Sequence, residues 1–309
     1  MYRSSSVVRM VMALTVVALS VSGGLAYTVG VQVSLASSFS GDDVLRYSGA
    51  AFTTPTGSYD NPTGTSNNNW MVTQSAANQL AAGQAAVGIN DTGLYPASGA
   101  RLYDVQLGFT NATPTGTNVV LRSNIAGNFS FNVPGNYYSQ FAIFGSSGSG
   151  STNLNITLNY STGSPTVLSS VTLPDWYSGA NSGSTAASAA GTYFALTPAM
   201  SRQGGVGNGF PNSNYQVPNV NASGAYIYGV NLAPDSTRQL TSVSVAYTPA
   251  SQGYTVANFL TAAGALAATP ITNPVATAAP ALGAWGLVLL AAGLGLVFWL
   301  SLRRRHQTL

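Results

Sequence analysis

Leu154-Asn155-Ile156-Thr157-Leu158-Asn159-Tyr160 alternates apolar and polar side chains through its whole length. Successive residues of a strand point to opposite faces, so a period of two marks an extended segment with one buried face and one wet face. The same period recurs upstream. Phe129, Phe131 and Val133 alternate with Ser130 and Asn132, and Tyr103, Val105, Leu107 and Phe109 alternate with Asp104, Gln106 and Gly108. Outward from these, residues 119–122, 138–144, 166–173, 192–196, 225–232, 240–247 and 254–260 have the β-branched and aromatic content of further strands. Turn clusters of Gly, Ser, Asn and Pro separate them, and no amphipathic helix stands out; only 70–86 is rich in helix-tolerant residues. The pattern predicts an all-β chain folded as an antiparallel β-sandwich of jelly-roll type. Long loops are expected at 145–151, 178–191 and 201–219, where a ligand would be met.

The two ends read differently. Residues 1–26 carry Arg3 and Arg9, an apolar run and a small-residue ending at Ala26, the pattern of a secretory signal peptide cleaved after Ala26. An uncleaved N-terminal anchor is the alternative. At the other end, residues 281–302 contain no charged side chain and are followed by Arg303, Arg304 and Arg305. About 20 apolar residues cross a bilayer, and basic residues stay on the cytoplasmic side, so this stretch predicts a transmembrane helix with 303–309 as a cytoplasmic tail. Residues 27–262 are then the exported sandwich domain and 263–280 an Ala/Pro/Thr linker.

The order Pro280-Ala281-Leu282-Gly283-Ala284-Trp285-Gly286, a hydrophobic run and a terminal arginine cluster resembles the bacterial IPTL-CTERM sorting signal, a relative of PEP-CTERM. Ala279 and Ala281 depart from that pattern, which usually has Ile or Val and often Thr there. The resemblance implies that Pro280, Leu282, Trp285, Gly286 and the three arginines are read by an exosortase-type membrane protease that removes the tail. The chain would then be a membrane-anchored precursor first and a cell-surface or extracellular protein afterwards. A plain C-terminal anchor, with Trp285 at the interface, is the alternative.

A second likeness covers residues 102–260. The strand 154–160, Thr172-Leu173-Pro174-Asp175-Trp176-Tyr177, Tyr226-Ile227-Tyr228 and Asp235-Ser236-Thr237-Arg238 are similar to the galactose-binding-like jelly rolls appended to bacterial glycoside hydrolases. It implies sugar binding, or packing on a catalytic neighbour.

Composition narrows the chemistry. The formal charge is +3, yet five of the ten arginines lie in the terminal segments, and residues 27–280 hold five Arg against seven Asp, a net of −2. No basic patch exists to neutralise phosphates, so nucleic acid is excluded as a partner. Lys, Glu and Cys are absent and the single histidine is His306 in the tail. The body therefore has no disulfides and must be held by its core. It also lacks the side chains that most acid/base and nucleophilic catalysis uses, and the Cys and His ligands of a zinc site. An enzyme is not expected.

Two candidate sites remain. Asp175, Trp176 and Tyr177 would offer an aromatic platform to a sugar ring; the alternative is that Trp176 plugs the core at a strand end. Calcium is the metal that this inventory favours, through Asp42, Asp43, Asp60, Asp91 and Asp104, although no calcium-loop spacing occurs and solvated turns explain these residues better. Three functions compete: a non-catalytic, surface-displayed or matrix-associated protein of structural or adhesive role; a stand-alone carbohydrate-binding module for a polysaccharide; and an Asp-based glycoside hydrolase. The last needs two carboxylates across a cleft, and seven scattered Asp supply no evident pair.

Overall fold

The computed structural model describes residues 30–53, 58–60, 68–80, 87–109, 121–177, 185–197, 202–205 and 225–267. Residues 1–26, expected to form a signal peptide, the stretch 281–302, expected to form a transmembrane helix, and residues 303–309 lie outside the described residues. All described residues belong to one compact unit. Its strands are β1 (Gly30–Val33), β2 (Val44–Leu45), β3 (Asn68–Val72), β4 (Leu94–Tyr95), β5 (Val105–Gln106), β6 (Leu121–Ser123), β7 (Gly127–Asn136), β8 (Tyr138–Gly148), β9 (Thr152–Tyr160), β10 (Thr166–Leu173), β11 (Tyr193–Ala195), β12 (Arg202–Gly205), β13 (Tyr228–Asn231), β14 (Leu240–Pro249) and β15 (Val256–Leu266). Among the described residues one α-helix forms, α1 (Gln74–Leu80).

The alternating stretches build the outer sheet, in the order β10-β9-β14-β7, with every neighbour antiparallel. Register brings the apolar positions into line across it. Val243 lies opposite Phe131 on one side and Leu158 on the other, and Val245 opposite Phe129 and Ile156. Cross-strand pairs of this kind each add a few tenths to ~1 kcal/mol. One face of the sheet is thereby predominantly apolar.

That face packs on a second sheet, ordered β1-β15-β8-β13-β11, with β6 paired to β15. Phe131, Leu154, Ile156, Leu158 and Val243 from the first sheet share one core with Phe141, Ile143, Val230 and Phe259 from the second. Two sheets with a common apolar interior make a β-sandwich. Fully burying each such side chain contributes ~1.5–3 kcal/mol.

The middle strands of the second sheet are buried on both faces. From Phe141 onward β8 is uniformly buried, and β15 is buried from Val256 through Ala265. Phe141 and Ile143 face the sandwich core, whereas Ala142 and Phe144 face a second core containing Val44, Tyr59, Tyr103, Trp176 and Ile227. Most of the chain between β1 and β6, joined by β12, thus forms a third layer. It holds the small sheet β12-β3-β2, the pair β4-β5 and α1, whose Ala76 and Ala77 are buried with Leu45 and Val72.

Several sequence expectations change. Residues 145–148, expected in a loop, complete β8, because Ser146 and Ser147 are buried and hydrogen-bonded. β15 runs on to Leu266, into the segment assigned to the linker; Ala263 and Ala265 are buried there, and Gly264 allows close contact, since a Cβ would lie 2.5 Å from the Gln140 carbonyl oxygen. The alternation at 103–109 survives in burial, with Tyr103, Val105, Leu107 and Phe109 all inside. Only β5 is laddered; its Gln106 amide donates to Gln32 Oε1, and the Leu107 amide that follows donates to the Gly93 carbonyl. Within 70–86, strand β3 precedes the short α1. β2 and β3 pair in parallel, an exception in an otherwise antiparallel set of strand pairs.

Candidate functional site

Trp176 follows β10 and is fully buried. Its backbone is tied on both sides: Trp176 N donates to the Ser147 carbonyl at 2.6 Å, and Tyr226 N donates to the Trp176 carbonyl at 2.8 Å. The ring lies 4.5 Å from that of Tyr59, tilted by 35°. The indole Nε1–H donates to Asp60 Oδ1 at 2.7 Å. A ring with no exposed face cannot stack on a sugar, so the expected platform is corrected to a core plug. Tyr177 is half-buried against the same core.

Around the plug the carboxylates act as anchors. Asp60 also accepts from Ser149 N at 2.9 Å and Asn69 Nδ2 at 3.0 Å. Asp175 accepts from Gly150 N at 2.5 Å and Tyr177 N at 2.7 Å. The Tyr59 hydroxyl meets Ser146 Oγ at 2.5 Å. Burial pushes the Asp60 carboxyl up from its ordinary range, against the Trp176 N–H that holds it down, with the nearby Asp175 charge adding to the rise. Burial drives the Tyr59 hydroxyl well above its usual range, reinforced by the charges of Asp43, Asp60 and Asp175, so it stays neutral.

The other aspartates are dispersed. Asp42 pairs with Arg46 at 2.6 Å, and both are buried. Asp91 accepts from Ser75 N at 2.8 Å and Ser75 Oγ at 2.6 Å, at the first turn of α1, and Asp104 accepts from Ala97 N at 2.8 Å. Asp43 is buried. Among the described residues no three acidic or histidine side chains group as a metal site. Asp235, in the Asp-Ser-Thr-Arg segment, accepts from Thr237 N at 2.9 Å and Arg238 Nε at 2.7 Å. Its carboxyl is held down at about 2, chiefly by the Thr237 bonds. Arg238 in turn lies 3.9 Å over the Tyr160 ring and donates to the Ser164 carbonyl at 2.7 Å, which fastens the β9–β10 turn. Tyr228 is buried and Tyr226 half-buried, their rings 5.9 Å apart.

Sequence reasoning passed over Arg101. It sits in a tight turn, where Ser98 and Arg101 exchange both backbone hydrogen bonds. Its side chain borders a cleft of about 240 Å3 between that turn and the edge strand β11. Ser98, Ala100 and Thr185 stand at the exposed rim; Phe194 and Leu196 form the apolar wall. A shallower depression of about 420 Å3 lies by Tyr47, Ser75 and Asn78. The signal for Arg101 was faint: a charge near an apolar alternation in a body with few charges.

Among the described residues no helix is long and apolar enough to cross a membrane. Ala26, Pro280, Leu282, Trp285, Gly286, Arg303, Arg304 and Arg305, the residues expected to direct sorting and processing, lie outside the described residues. Fold and site together define an all-β protein of packed, mostly antiparallel sheets in which the half-buried carboxylates of Asp60 and Asp175 serve as anchors. No known protein family, curated protein or solved structure matches the chain.

Proposed function

We propose that the chain is a non-catalytic exported protein, displayed on a bacterial cell surface or released into the extracellular matrix, with a structural or adhesive role. Export rests on the segment ending at Ala26, and display on the 281–302 stretch with Arg303, Arg304 and Arg305, which an exosortase-type membrane protease would recognise before tail removal. The observation that carries the non-catalytic part is the use of the two neighbouring carboxylates. Every oxygen of Asp60 and Asp175 accepts a hydrogen bond from an anchored N–H, and neither residue borders the described clefts. A general acid and its base need a cleft and a substrate proton within reach. These two have instead a loop, a strand end and an indole to hold together.

Protease treatment of intact expressing cells tests the display reading. Digestion of the body while a cytoplasmic marker survives is the expected result. Protection of the body, once an outer membrane has been permeabilised, would contradict it. The cleft at Arg101 favours a second reading, a stand-alone carbohydrate-binding module that acts through that cleft and not through Trp176.

A further inference from the structure

Arg101 is 7 % exposed, and three of its five N–H donors are spent on backbone carbonyls. Nη1 donates to the carbonyls of Tyr95 and Tyr103, and Nη2 to that of Pro96 at 2.7 Å. Among the described residues no acceptor stands against Nε–H or the second Nη2–H, and no carboxylate is in ion-pair contact. Asp104 acts on Arg101 only through space, while its own carboxylate is engaged by Ala97 N. A buried guanidinium is costly unless it is paired. Here the carbonyl collar fixes its plane, and Arg101 is among the residues that line the 240 Å3 cleft.

We propose that this cleft binds the carboxylate of a sugar acid, one uronate unit of an acidic polysaccharide. The two remaining donors suit a planar carboxylate, which arginine takes in a fork that a lysine cannot reproduce. The cleft is smaller than the ~300–1,000 Å3 of a drug-sized site, so it takes a single ring. Ser98 and Thr185 bring hydroxyls to the rim for the ring's own hydroxyls, and Phe194 and Leu196 supply an apolar wall for its C–H face. Because the arginine is already held by protein carbonyls, binding orders little else. The inference stands whether or not the tail is processed.

The test is titration of the full-length protein in detergent with glucuronate, glucose and benzoate, followed by calorimetry or ligand-observed NMR. Glucuronate is expected to bind at least about 10-fold more tightly than either control, a difference of ~1.4 kcal/mol. Ala100→Phe fills the cleft from its exposed rim and leaves the carbonyl collar in place, so it should abolish binding with Tm unchanged. Arg101→Lys keeps the charge and should weaken binding about 10-fold or more. No binding of glucuronate, equal binding of glucose or benzoate, or full binding by a folded Ala100→Phe protein would each overturn the proposal.

Discussion

The indole of Trp176 and the carboxylate of Asp60 meet at 2.7 Å across 116 residues of sequence. Trp176 follows β10, an edge strand of the outer sheet, and Asp60 belongs to the third layer. The bond therefore joins the earliest part of the body to the sandwich built later in the chain. Removing the N–H while keeping an aromatic ring, as in Trp176→Phe, withdraws a hydrogen bond from the half-buried Asp60 carboxylate. Such bonds are worth ~1.5–3 kcal/mol. Chemical denaturation of the full chain should show a loss of that size, and more for Trp176→Ala, where a cavity adds to it. An unchanged midpoint for Trp176→Phe would show that the bond does not hold the layers.

Gly148 ends β8 where the 59–60 segment crosses it. A Cβ built there would stand 1.8 Å from the Tyr59 carbonyl oxygen and 2.8 Å from Asp60 Oδ1. The first is backbone and cannot swing away. Gly148→Ala should thus cost ~1–3 kcal/mol or more by overpacking. It should also loosen the Asp60 bond to Ser149 N. A Tm equal to the wild type's would rule out this close approach.

The Asp42–Arg46 pair sets a pH dependence. Burial raises the Asp42 carboxyl to about 6 even though the Arg46 charge pulls it down. A folded-state value above the unfolded 3.8 means that the native state binds the proton more tightly. This group therefore adds stability at low pH that is lost as pH rises through about 6. The Asp60 carboxyl, also raised, acts in the same direction. Tm should rise on going from pH 7.5 to pH 5. Arg46→Met removes the guanidinium from a buried carboxylate, a change that costs ~3–5 kcal/mol for such pairs. Its deficit should shrink at pH 5, where Asp42 is protonated. A deficit independent of pH would contradict the account.

Legibility in the sequence followed solvent. β7 and β9 have one wet face, so their alternation was visible, and the stretches 129–133 and 154–160 fall inside the longer ladders; β14, marked by its β-branched and aromatic content at 240–247, extends two residues further. β8 and β15 are covered on both faces, so their runs carry no period, and small residues such as Ser147, Ala263 and Gly264 looked like loop or linker. The third layer was obscure because much of it is extended chain satisfied by side chains, as at Gln32 and Asp104. Trp176 was visible as a residue but not as a contact, since its partners Tyr59 and Asp60 come from a turn with no period of its own. Arg101 was hidden because a collar of backbone carbonyls leaves no mark on side-chain identity.

Asp60 and Asp175 are anchors, so Asp60→Asn and Asp175→Asn should lower Tm, through weaker hydrogen bonds to Trp176, Ser149 and Gly150, without removing any hydrolytic rate. Incubation of the purified full chain with acidic and neutral polysaccharides should release no reducing ends. Turnover that vanishes in a stably folded Asp175→Asn protein would make the chain an Asp-based hydrolase.

The central claim is export followed by removal of the tail, and the intact mass of the chain recovered from each cell fraction tests it most directly. In a bacterium that carries an exosortase-type protease, the wild-type chain should appear at the surface or in the medium with a mass lacking the signal segment through Ala26 and the arginine tail. The triple variant Arg303→Ala, Arg304→Ala, Arg305→Ala should remain in the membrane with its C-terminal segment intact. Identical masses and locations for the two, with residues 281–309 still attached in both, would contradict the account.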